Sequence, residues 1–95
     1  METTPSASTL SDRLRALVEM SGLAPATFSL AAKLSKSHVG QVLRGTIKTL
    51  REDAVVKICD LTGASRAWLS WGEGMPPAAE SVREMVQKAQ QSKAA

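Results

Sequence analysis

The chain has 95 residues, a formal net charge of +3, 43% hydrophobic residues and 3% aromatic ones, with no Tyr and one Phe. That length holds one modest core, and the scarcity of aromatics argues against an all-β sandwich and for a helical protein built on Leu, Val, Ile and Ala. A single Cys59 excludes an internal disulfide, and one Cys with one His cannot make a protein-only zinc site. No apolar run approaches the roughly 18 residues needed to cross a bilayer, and the opening "METTPSAST" lacks the basic start and apolar stretch of a secretory signal. The expectation is a cytoplasmic protein with no membrane association and no cofactor.

In chain order, residues 1–8 read as a disordered N-terminus. Thr9 precedes a first helix in which Leu10, Leu14, Leu17 and Val18 share one face, Asp12, Arg13, Arg15 and Glu19 point outward, and Gly22 marks the end. A shorter second helix begins at Pro25, whose missing N–H is harmless in a first turn, and offers Phe28, Ala31 and Ala32 to the core, with Leu34 in the turn that follows. Ser35 is a suitable N-cap for a third helix running to about Arg44 and stopping at Gly45. At about 100° per residue, Val39, Val42 and Leu43 form one stripe of that helix, while Ser37, Gly40, Gln41 and Arg44 lie opposite.

After the basic loop "GTIKT", Thr49-Leu50-Arg51-Glu52 has the spacing of a capping box, followed by the stripe Leu50, Ala54, Ile58 and Leu61 and by Gly63. Ser65 caps a fifth helix containing "RAWLSWG", with Trp68 and Leu69 closing the core. From Glu73 the text changes to a linker, "EGMPPAAE", and then to "SVREMVQKAQQ", weakly amphipathic through Val82, Met85, Val86 and Ala89. A helix that short must dock or stay frayed. The expected organisation is therefore a domain over residues 9–74 and a linker and tail over 75–95 that serves dimerisation or a partner.

Charge is uneven along the chain. Lys33, Lys36, Arg44, Lys48 and Arg51 fall in a segment without a carboxylate, and the rest of the chain balances to −2. Such a local positive surface is the footprint of a polyanion reader and is also common on solvated faces. Two short helices joined by a turn, the second with a polar outward face, form the helix-turn-helix pattern.

The stretch "GLAPATFSLAAKLSKSHVGQVLRG" resembles the DNA-binding domain of the Cro and phage-repressor (XRE-like) family: Gly22, Leu23, Ser35, Ser37, Val39, Val42, Arg44 and Gly45 fall where that pattern wants them. "WLSWGEG" is similar to the ending frequent in such domains, which carries the resemblance from residue 10 to 74. The chain departs from the family at Ala24-Pro25, where Ser-Gln is usual, at Ser29 in place of Ala, and at Lys33 in place of the turn Gly. Lys33 must then adopt an uncomfortable backbone conformation, or the turn must differ. The resemblance implies an all-α, five-helix lambda-repressor-like fold with a short tail helix. It places Lys36 and Ser37 where the family's first base contacts fall, with Gln41 one turn later.

Lys suits the acceptors on guanine and Gln can pair bidentately with adenine, so Lys36 and Gln41 are the leading base readers, with Ser37 and His38 as seconds. His38 sits at the edge of the apolar stripe and serves equally as a packed neighbour of the core. Lys33, Arg44, Thr46 and Lys48 are assigned to phosphates. Trp71, Val82, Met85 and Val86 are assigned to a dimer surface. No nucleophile elbow or other catalytic spacing accompanies the single His38. The expected function is a sequence-specific regulator of the phage or prophage repressor type, binding double-stranded DNA as a homodimer by occupancy without chemistry. The alternatives are an antitoxin whose tail holds a toxin or other protein partner, and an interaction module whose basic face binds an acidic protein.

Overall fold

Residues 9–94 are described by the computed structural model; the arm expected over 1–8 lies outside the described residues. They form six helices and, among the described residues, no strand: α1 (Leu10–Ser21), α2 (Pro25–Ala31), α3 (His38–Leu43), α4 (Glu52–Thr62), α5 (Arg66–Trp71) and α6 (Ala79–Ala94). The all-α expectation holds. Thr9 caps α1 by accepting from the Asp12 N–H at 3.1 Å, and Ser65 caps α5 by accepting from the Trp68 N–H at 3.0 Å. The core is assembled from Leu14, Leu17, Phe28, Val39, Val42, Ile58 and Leu69, each fully enclosed or nearly so. Removing such a side chain from water stabilises the fold by about 1.5–3 kcal/mol.

Two helix starts differ from the sequence reading. α3 begins at His38 rather than just after Ser35, because Lys36 and Ser37 form a turn first; the Ser35 carbonyl accepts from the His38 N–H at 3.1 Å. The capping box at Thr49 does not form. Arg51 stands at the N-cap of α4 in extended conformation, with no side-chain cap. Extended backbone through Arg51 lets Leu50 pack against the core from outside the helix, and Glu52 and Asp53 are left in the first turn, where the helix dipole favours them.

Arg13 is also placed differently. It is buried, not outward, and its guanidinium closes the end of α5: Nε donates to the Leu69 carbonyl at 2.8 Å and Nη2 to the Ser70 carbonyl at 3.2 Å.

α6 docks. It packs on α1 and α4, with Val82 at 0% exposure and Val86 at 1%, both inside the same core as the other helices. Met85 Sδ lies over Gly63, so close that a Cβ there would sit 2.7 Å away, and the φ of +81° at Gly63 favours glycine independently. Val82 and Val86 are thus not surface that a second subunit could cover without prising α6 from its own domain. Of the four residues assigned to a dimer face, Trp71 (75% exposed) and Met85 (38%) remain outside.

Candidate nucleic-acid interface

α2 is seven residues long and is anchored by Phe28, which is wholly buried. The chain leaves it through a turn in which the Lys33 N–H donates to the Leu30 carbonyl (2.9 Å) and the Leu34 N–H to the Ser29 carbonyl (2.8 Å). Lys33 takes φ +64°, the left-handed conformation that the family's turn glycine adopts freely and that costs a lysine about 1–2 kcal/mol. The first of the two conformations open to it from sequence is therefore the one found.

α3 has six residues, too few to be helical by themselves. It is held from beneath by Val39 and Val42 and at each end by hydrogen bonds from other helices. At the start, the Val39 N–H donates to Ser29 Oγ of α2 at 3.0 Å. At the finish, the Leu43 carbonyl accepts from Ser11 Oγ and from Arg15 Nη2 of α1, both at 3.2 Å. The loop after it folds back, with the Thr46 and Ile47 N–H groups both donating to the Gln41 carbonyl at 2.9 and 3.2 Å. That bond fixes the basic loop relative to the helix.

On this frame Lys36 and Ser37 are exposed at the opening of α3, and Gln41 is half-buried one turn on. Lys33, Arg44, Thr46 and Lys48 are all exposed on the flanking turn and loop. Among the described residues no ion pair engages Lys33, Lys36, Arg44 or Lys48. Arg51 lies 3.9 Å from Asp53, with both side chains largely in solvent, where such a pair is weak. His38 is half-buried, and its Nε2 is enclosed without a hydrogen-bond partner, so that end of the ring faces the protein. Arg44 bends back along the helix: a Cβ on Gly40 would meet its Nη1 at 3.3 Å. Its charge consequently lies over the middle of α3 rather than only past the end. Three positioning residues, Ser11, Arg15 and Ser29, escaped sequence reasoning, because their partners are backbone groups 10 to 32 residues away.

A family model described as a helix-turn-helix domain matches residues 9–71, more than half of the chain and the whole of α1 to α5. The chain belongs to the helix-turn-helix domain family. Its architecture agrees with the XRE/Cro-like kind of DNA-binding domain, and membership points to a DNA-binding regulator. No curated protein and no solved structure gives a significant match to the chain. The helix-turn-helix domain match ends at Trp71, before α6, although α6 contributes to the core. No described helix is long and apolar enough to cross a membrane.

Proposed function

We propose that the protein is a transcriptional repressor of the phage or prophage type that occupies a specific double-stranded DNA site from the cytoplasm, as a homodimer. The observation carrying this reading is the outward surface of α3, fixed at both ends and offering Lys36, Ser37 and Gln41 without internal partners. A major groove admits one helix, whose first turn reaches base edges while flanking groups grip phosphate. Lys36 and Gln41 read bases with Ser37 beside them; Lys33, Arg44, Thr46 and Lys48 hold phosphates. His38, with its Nε2 turned inward, supports the helix from behind instead of reading.

Trp71 supplies the pairing surface. It stands at the edge of an open groove of about 710 Å³ with Leu10, Leu50 and Val55 in its lining, together with the cation Arg66 and the carboxylates Glu52 and Glu73. A patch carrying its own tryptophan, its own groove and both signs of charge is suited to a second copy of itself. A toxin-holding role for α6 has no apolar stripe to use, since Val82 and Val86 are taken up by α1 and α4.

The decisive experiment is duplex binding against salt. Three cations engaging phosphate in each subunit, Lys33, Arg44 and Lys48, give a log-log slope of about −2.7, or about −5.4 for a dimer. A slope near zero would sink the DNA reading. Sedimentation of Trp71→Glu tests the dimer separately: the expected species is a monomer, and an unchanged dimer would remove Trp71 from the interface.

A further inference from the structure

The first turn of α3 needs a cap that α3 does not provide. Ser37 occupies the N-cap position with helical backbone angles (φ −93°, ψ −2°), and its side chain makes no capping bond. A serine caps from extended backbone, by accepting from the second or third N–H of the helix. Here the second of those donors, Val39 N–H, is met from α2 by Ser29 Oγ. Ser29 and Val39 are both completely buried, so no water stands ready to replace that bond. Ser37 and its neighbour Lys36, free of capping duty, remain exposed.

We propose that Ser29 is a positioning residue for base reading: from inside α2 its hydroxyl sets the position of the turn that presents Lys36, Ser37 and, one turn later, Gln41. This rests on α3 being the reading helix. Hydrogen bonds to base edges weaken steeply as distance and angle drift, whereas attraction to phosphate depends on total charge. Loss of the Ser29 hydroxyl therefore reduces discrimination between DNA sequences and leaves general DNA affinity in place. The family's usual Ala at this position could not make the bond.

The test uses the full chain and a duplex selected by the wild-type protein from a randomised pool, alongside a random duplex. Ser29→Ala and Ser29→Cys are compared with wild type well below their melting temperatures; Ala leaves the site slightly underfilled and Cys, a poor acceptor, slightly overfilled, so an effect common to both reports the lost bond and not the packing. Affinity for the selected duplex should fall about five- to twentyfold, the scale of one lost buried hydrogen bond, with random-duplex affinity unchanged within about twofold. In amide-exchange NMR the Val39 N–H should become faster than its neighbours. Combining Ser29→Ala with Gln41→Ala should cost less than the sum of the two, since both act on one set of base contacts. A parallel loss on both duplexes, or an unchanged ratio, overturns the role of Ser29 alone. A wild-type protein that binds duplexes without any preference overturns it together with the base-reading proposal, whatever Val39 exchange reports.

Discussion

α3 and α6 are held in the fold by opposite means. α3 has six residues, buries two valines and is pinned at both termini by bonds from Ser29, Ser11 and Arg15. α6 has sixteen residues and lies on α1 and α4 through Val82 and Val86. Apolar burial is strong but non-directional, and tolerates small sliding; hydrogen bonds are weaker in net terms and demand particular angles. The helix proposed to read DNA thus carries directional anchors, and the helix that closes the core carries area.

The largest effect should come from α6. Truncation after Gly74 removes Val82 and Val86 and uncovers their neighbours, a loss of about 3–6 kcal/mol at roughly 1.5–3 per side chain, against a total of about 5–15. Urea melts should show a lost or much earlier transition, with DNA binding failing because the fold fails. A truncated chain melting at the wild-type midpoint would break the comparison.

At α3 the expected pattern is reversed, with stability kept and recognition lost. Gln41→Ala should cost about 1–3 kcal/mol on the preferred duplex and little on random DNA, while its melt stays at the wild-type midpoint. Equal loss on both duplexes would mean that another face of the domain meets the groove.

Lys33→Gly sharpens the contrast further. Relief of the left-handed lysine, about 1–2 kcal/mol, outweighs the roughly 0.5–1 kcal/mol that glycine's chain freedom costs. The variant should melt slightly later and bind every duplex slightly more weakly, with a shallower salt slope. A variant with unaltered affinity would take Lys33 off the phosphate surface.

The smallest effect concerns Cys59 on α4. Burial raises its thiol pKa above the ordinary 9.0, opposed by Arg66 and assisted by Asp60. The unfolded chain gives up that proton first, so the thiol leaves stability untouched below about pH 9 and lowers it as the pH climbs beyond. Urea melts from about pH 8 to pH 10 should fall more steeply for wild type than for Cys59→Ala. Parallel curves would show that the thiol ionises alike in both states.

Much of the frame was legible because local chemistry governs it. The start of α1 after Thr9, the Ser65 cap, Pro25 at the start of α2 and the stripe Leu14, Leu17 and Val18 all depend on residues a few positions apart. The capping box at Thr49 misled because packing of Leu50 outweighed a local bond. Residue type and helical angle point Arg13 outward, yet its acceptors lie on α5, 56 and 57 residues away. Val82 and Val86 illustrate the same limit: periodicity identifies an apolar face but not what covers it. In the candidate site, the outward residues of α3 followed from the helical angle, whereas the inward turn of His38 and the bond from Ser29 depend on how α2 and α3 meet.

The place of α6 in the core also sets an order of events during synthesis. Chains emerge N-terminus first at about 5–20 residues per second. Val86 follows Trp71 by fifteen positions, so about 1–3 s separate the synthesis of the last residue of α5 from that of the second buried valine of α6. The apolar surface of α1 to α5 is thus covered by a segment of the chain made after all five of them.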